Sequence, residues 1–190
     1  MNEKRIKIGM EAPKFVAQTW QGEEISSSQF LGSPLWLIFY RYPGCPLCNL
    51  HLNAVKKRCP DLMKRGLKII AIFESSPDKF KSLKEPFPDF PLISEPEKKL
   101  YELYETEESL KAVLKPSVVV TFIKAILNGN PQGKIDGKIG QVPAHFLIAE
   151  DGIIQYFYYG KSIGDHISFT SVERFLDSRV KSTWNTSVRR

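Results

Sequence analysis

The chain has only three cysteines and three histidines in 190 residues. Three thiols are too few for the disulfide framework of a secreted scaffold, so a Cys-x-x-Cys pair among them points to catalysis or metal binding rather than to a staple. Long apolar runs are also missing. Nothing approaches the roughly 18 consecutive apolar residues that span a bilayer, and Met1-Asn2-Glu3-Lys4-Arg5 is charged with no apolar segment behind it. The expectation is a cytoplasmic protein with no membrane partner. The formal charge of +6 is spread along the sequence, with a modest concentration at Arg179, Lys181, Arg189 and Arg190 and no basic stripe interleaved with aromatics. Nucleic acid is therefore not an expected partner. Internal repeats are absent. The glycine-rich stretch 128–140 carries Lys134 and Lys138 but lacks the Gly-Lys-Ser/Thr order and preceding strand of a phosphate cradle. It reads as a mobile flap, and no cofactor is expected.

What remains is 42% hydrophobic and 12% aromatic, enough for one well-covered core. Residues 1–190 are read as a single domain, with 181–190 as a flexible basic tail. A short extended pair surrounds Gln21-Gly22-Glu23, with Phe15, Val16 and Ile25 inward. The continuous apolar run Leu35–Tyr40 predicts a central strand covered on both faces. Leu47, Leu50, Ala54, Val55 and Leu62 recur at helical spacing as far as about Arg65, broken locally by Pro60 and stopped by Gly66; Leu67–Phe73 then predicts a second buried strand. Ser76-Pro77 and the box Ser94-Glu95-Pro96-Glu97 each predict the start of a short helix, and a longer one runs through Val118–Leu127. Two strands, Phe146–Ala149 and Ile153–Tyr158, flank the turn Glu150-Asp151-Gly152. Thr170-Ser171-Val172-Glu173 caps a final helix that buries Val172, Phe175, Leu176 and Val180.

Cys45-Pro46-Leu47-Cys48 stands where the first strand passes into its helix. A helix start presents unpaired N–H groups and the positive end of the macrodipole, so a thiol there loses its proton more easily, and the thiolate is the attacking species. Cys48 is one turn further on, close enough to form a disulfide with Cys45. The rival reading is a metal site, since His51 follows one turn later; it needs a fourth ligand from Cys59, His145 or His166, and no second knuckle exists, so no metal is expected. Cys59 itself reads as a buried small apolar residue. Asp165-His166 reads as a local turn contact, and Tyr156, Tyr158 and Tyr159 as sheet formers whose aromatic face is also open to a homodimer contact.

Four blocks carry a resemblance: Phe39–Cys48, Phe90–Pro96, Gln141–Ile148 and Tyr159–His166. With them the chain resembles the peroxiredoxin-like branch of the redoxin family, relatives of alkyl hydroperoxide reductase C and thiol-specific antioxidant proteins. The resemblance implies an α/β thioredoxin-like fold: a central mixed β-sheet flanked by helices, an N-terminal β-hairpin, and a helix-plus-loop insertion before the strand that follows a cis proline. It makes Cys45 the attacking and Cys48 the resolving cysteine, and Pro143 the cis proline lying against the dithiol. Arg41, Tyr42, Pro43 and His145 join Pro143 as substrate-binding candidates. Two positions depart from the family pattern. Tyr42 replaces the Thr or Ser three residues before the attacking cysteine, and Val142-Pro143-Ala144 lacks the arginine expected before the downstream strand. Loss of one such preorganised donor costs on the order of a hundredfold in rate, and Arg41 is the available substitute cation.

The expected activity is that of a thiol-disulfide oxidoreductase or peroxidase. Its substrate is a protein disulfide or a peroxide, and it is restored by an external dithiol such as a thioredoxin or glutathione system. The alternative is a non-catalytic binding module that kept the fold and uses its cysteines structurally or for metal.

Overall fold

The computed structural model describes residues 6–83, 85–106, 116–130, 132–133 and 140–187. Seven strands and four α-helices follow in the order β1 (Val16–Gln18), β2 (Glu24–Ser26), β3 (Leu35–Tyr40), α1 (Pro46–Lys64), β4 (Lys68–Phe73), β5 (Leu92–Ser94), α2 (Lys99–Leu103), α3 (Pro116–Leu127), β6 (Ala144–Ile148), β7 (Ile154–Tyr159) and α4 (Phe169–Ser187). The main sheet has the order β5-β4-β3-β6-β7. Strands β3, β4 and β5 are parallel, whereas β6 runs antiparallel to both of its neighbours, β3 and β7.

The absence of alternation in β3 has a plain cause: it is the middle strand, and all six of its residues are buried. Trp36, Ile38 and Tyr40 face the core shared with α1 and α4, whereas Leu37 and Phe39 face Phe15, Ile25, Tyr101 and Tyr104. Tyr101 of α2 donates its hydroxyl to the carbonyls of Tyr40, at 2.6 Å, and Ile72, at 3.0 Å, which ties the ends of β3 and β4 together. These are the strand ends from which the candidate site hangs.

Pro60 sits inside α1, where its ring nitrogen cannot donate to the carbonyl of Lys56. Cys59 Sγ donates to that carbonyl at 3.2 Å, so this thiol does more than fill space. Gly66, at φ 89°, ends the connection into β4 in the left-handed conformation that glycine tolerates best.

Several expectations need correction. Val16 is 63% exposed, so of the three hairpin residues expected inward only Phe15 and Ile25 are buried. Ser94 ends β5 and donates its Oγ to the carbonyl of Ser75 at 2.7 Å; because pairing with β4 has claimed it, no capping box forms and α2 begins later, at Lys99. The segment from Pro77 to Ser82 winds as a 3-10 helix, without a side-chain cap from Ser76. Helix α4 starts at Phe169, ahead of the predicted cap, with Ser168 Oγ accepting from the Ser171 N–H at 3.2 Å. It continues to Ser187, so residues 181–187 belong to the helix rather than to a tail. The Val142–Pro143 bond is trans; Glu85–Pro86 is the cis bond among the described residues. Trans is the default for an X–Pro bond, and Gly160, whose N–H donates to the Pro143 carbonyl at 2.8 Å, lets the neighbouring loop pack closely without a turn at the proline. Lys134 and Lys138, expected on a flap, lie outside the described residues. No helix among the described residues is long and apolar enough to cross a membrane.

Candidate active site

After Tyr40 the chain leaves β3 through Arg41-Tyr42-Pro43-Gly44 and enters α1 with Cys45 at the N-cap (φ −79°, ψ 120°) and Pro46 in the first turn. A local frame holds this loop. Cys45 N–H donates to the Tyr42 carbonyl at 3.0 Å, and Asn49 Nδ2, one turn into the helix, donates to the Pro43 carbonyl at 2.8 Å. Glu74 N–H donates to the Arg41 carbonyl at 3.0 Å, extending the tie between the ends of β3 and β4.

Cys45 Sγ receives a converging set of donors. Arg41 Nη1 and the Cys48 N–H each lie 3.5 Å away. Burial pushes the Cys45 thiol up, but the hydrogen bond from the Cys48 thiol, the Arg41 charge and the N–H groups of Cys48 and Leu47 outweigh it and bring the group down to about 6. Cys48 moves the opposite way. Burial raises it well above an ordinary thiol, and donating to an anionic Cys45 raises it further. The pair is therefore polarised at neutral pH, with Cys45 the anion and Cys48 the proton donor.

Arg41 is buried, at 4% exposure, with its guanidinium 5.1 Å from the centre of the Tyr42 ring. Burial opposes its charge, yet the Cys45 and Cys48 sulfurs, the Tyr42 oxygen and the Glu74 carboxylate together hold it more firmly protonated than a free arginine. Glu74 is in turn paired with Lys98 at 2.9 Å. The sequence could not show which way Arg41 points. Its side chain turns back to the sulfur four residues later.

Cys45 and Cys48 are each 1% exposed, so neither thiol stands open to solvent. Cys45 instead forms part of the wall of a cavity of about 250 Å³, together with Arg41, Tyr42, Val118, Phe122 and Ile163. Helix α3 supplies Val118 and Phe122 and so covers the sulfur. Gln132 also lines the space and donates from Nε2 to the Tyr42 hydroxyl at 3.2 Å. Gly133 N–H donates to the Gly44 carbonyl at 2.8 Å, tying this part of the glycine-rich stretch to the cysteine loop.

Of the site residues expected from the sequence, the fold brings Arg41, Tyr42, Cys45 and Cys48 together. Pro43 contributes only its carbonyl, and neither Pro143 nor His145 lines the cavity. His145 is fully buried on the Trp36 side of the sheet, accepting from Trp36 Nε1 at 3.3 Å and facing His166 Nδ1 at 3.1 Å. Sequence reasoning missed Val118, Phe122, Gln132 and Ile163 as walls of the site. An apolar α3 with exposed Val119, Val120 and Ile123 is the one signal that this helix covers something. The thiol-containing metal set is not assembled: among the described residues the potential metal-ligand cluster is His51, His145 and His166, without a sulfur.

The AhpC/TSA family profile matches residues 8–157. Peroxiredoxin-6 of Gallus gallus is 38% identical over 76 residues, 38% of this chain and 33% of that protein. The putative peroxiredoxin bcp of Coxiella burnetii is 23% identical over 145 residues, 72% of this chain and 96% of that one. The chain thus spans about a third of the length of the first relative and nearly all of the second. Among solved structures, a yeast mitochondrial 1-Cys peroxiredoxin, described with thiol resolution via glutathione/thioredoxin systems, superposes with a TM-score of 0.67 at 19% identity, covering 94% of this chain and 78% of that one. That likeness concerns the fold, which is thioredoxin-like.

Proposed function

Because the chain belongs to the AhpC/TSA family, we propose that it is a thiol-dependent oxidoreductase that reduces a small peroxide through Cys45 and closes a Cys45–Cys48 disulfide. The carrying observation is the donor set on Cys45 Sγ, with Arg41 Nη1 and the Cys48 N–H at 3.5 Å, beside a Cys48 thiol that stays protonated. The Cys45 thiolate attacks one peroxide oxygen, the O–O bond breaks, and the departing alkoxide or hydroxide takes up a proton, leaving a sulfenic acid on Cys45. Among the described residues Arg41 is the cation bonded to Cys45 Sγ, placed to meet the charge that develops on the oxygens, the part that the family arginine plays elsewhere.

Neutralising Cys45 in this step removes the anion that held the Cys48 proton. Cys48 then loses its proton more readily and attacks the sulfenic sulfur, forming the disulfide and releasing water. An external dithiol, from a thioredoxin or glutathione system, restores both thiols.

The cavity favours a peroxide over a protein disulfide as first substrate. A space of about 250 Å³ has room for a small molecule beside Cys45, whereas a sulfur that is 1% exposed offers another protein's disulfide no open surface to dock on. Coupled assays with hydrogen peroxide and with insulin disulfide test this: peroxide turnover that vanishes in Cys45→Ser supports the proposal. Insulin reduction without peroxide turnover sinks the peroxide assignment, and no turnover of either leaves the non-catalytic binding module as the better account.

A further inference from the structure

All three histidines of the chain meet at one place, although they are distant in sequence. His51 comes from α1, His145 from β6 and His166 from the loop before α4, and one ring nitrogen of each lies within 4.8 Å of the other two. We propose that this cluster is a binding site for a borderline divalent transition-metal ion of the zinc, copper or nickel type, separate from the thiols and held by imidazole nitrogen alone.

The hydrogen bonds leave one ligand atom free and hold the other two in a single bond to each other. His51 Nδ1 is 2.7 Å from the Tyr40 hydroxyl, while its Nε2 is shut off from solvent with no partner. An Nδ1–H donating to Tyr40 is the outer contact that leaves Nε2 with its lone pair free for a metal. His166 accepts from His145 Nε2–H at Nδ1 and so keeps its own proton on the buried, unpartnered Nε2, which makes Nδ1 its ligand atom once that bond opens. His145 Nε2 and His166 Nδ1 are 3.1 Å apart, near the edge of about 3.3 Å that metal–nitrogen bonds of 2.0–2.1 Å define in a tetrahedron.

Closing the set around an ion has defined costs. The His51 and His166 rings are stacked, with centroids 3.7 Å apart and planes 4° from parallel, so their in-plane lone pairs do not converge and one ring must swing out of the stack about its side-chain torsions before both aim at a shared point. At His145 the proton now on Nε2 moves to Nδ1, breaking the long 3.3 Å bond from Trp36 Nε1–H; no proton is released overall.

The chemistry of the donors sets the class of ion. Three imidazoles without a carboxylate suit zinc, copper or nickel and not magnesium or calcium, which take oxygen, and they leave one position for water. His51 and His166 are half-buried, which places the cluster within reach of the surface.

The full chain carrying Cys45→Ser and Cys48→Ser removes the competing thiols and is titrated with Co²⁺, then Zn²⁺. The expected result is one Co²⁺ per chain, visible bands of a four- or five-coordinate nitrogen site, no sulfur-to-cobalt band, and displacement by Zn²⁺. Adding His166→Gln, in a loop, lowers affinity by more than about tenfold. In the double-serine protein the Trp36 indole N–H resonance shifts as the metal binds, a readout that needs no histidine variant. Failure of the folded double-serine protein to bind stoichiometric metal overturns the site. So does a sulfur-to-cobalt band, which would assign the ion to Cys59, or binding that leaves the Trp36 resonance unmoved or survives His166→Gln.

Discussion

At the scale of single residues, the candidate chemistry reduces to one sulfur and the donors around it. Arg41→Gln removes the only cation bonded to Cys45 Sγ among the described contacts. The Cys45 thiolate population should then need a higher pH, since the Arg41 charge is among the causes that bring it to about 6. The sign follows from the titration: reactivity of the native protein is lost as pH falls through about 6, and that of the variant is lost at higher pH. A pH profile of peroxide consumption checks it, with a rate loss on the order of a hundredfold expected at pH 7. An unchanged profile would remove Arg41 from the site. The cysteine pair was legible from local signals alone, because a strand, a Cys-x-x-Cys and an N-terminal proline fix Cys45 at a helix start wherever that helix packs. Arg41's direction was not, since a side-chain rotamer after the last residue of a strand depends on what lies beyond, here the Glu74 segment and the Tyr42 ring. The thiols' burial was equally hidden, because the cover comes from α3, a helix far downstream.

At the scale of elements, the site depends on segments that clamp the turn between β3 and α1. A Cβ on Gly133 would stand 2.8 Å from Gly44 Cα, so Gly133→Ala must shift backbone and not merely a flexible side chain. We expect about 1–3 kcal/mol of destabilisation, read from chemical denaturation, and slower Cys45 oxidation as the loop over the sulfur moves. Asn49→Leu removes the bond from Nδ2 to the Pro43 carbonyl. Its cost should be about 1–2 kcal/mol, with a larger fall in peroxide turnover than in stability, because the loop it frees carries Arg41 and Cys45. Strong local periodicity made β3, α1 and β4 readable. The errors fell where pairing overrides local signals. Ser94 has the spacing of a helix cap yet is drawn into β5 by Phe73, its partner across the sheet. Pro143 has the surroundings of a cis proline, yet its carbonyl and ring are accommodated by Gly160 with the bond trans.

At the scale of the whole molecule, the packing of α1, β6 and the loop before α4 brings three imidazoles together, His145 in the core and His51 and His166 half-buried beside it. Each has its proton affinity lowered by burial, His51 to about 3. The unfolded chain takes up protons on these groups below about pH 6.5 and the folded chain does not, so stability is full above that pH and is lost as pH falls towards 3. Across that window His51 contributes about 1.4 kcal/mol per pH unit, and His145 and His166 act in the same direction. Thermal unfolding from pH 7 to pH 4 should show a steep loss that His145→Gln and His166→Gln flatten; a flat native profile would mean that the imidazoles are protonated in place. No sequence spacing announces this convergence. It arises from the register that sets Ile38 of β3 against His145 of β6, together with the path of the loop that returns His166 to the same face.

The most direct test is the intact mass and peptide map of the reduced protein after one equivalent of hydrogen peroxide at pH 7. A loss of two hydrogens located in a Cys45–Cys48 bond, with Cys59 still free and a trappable sulfenic acid on Cys45 in Cys48→Ser, is the predicted result. An unmodified Cys45, or oxidation confined to Cys59, would contradict it.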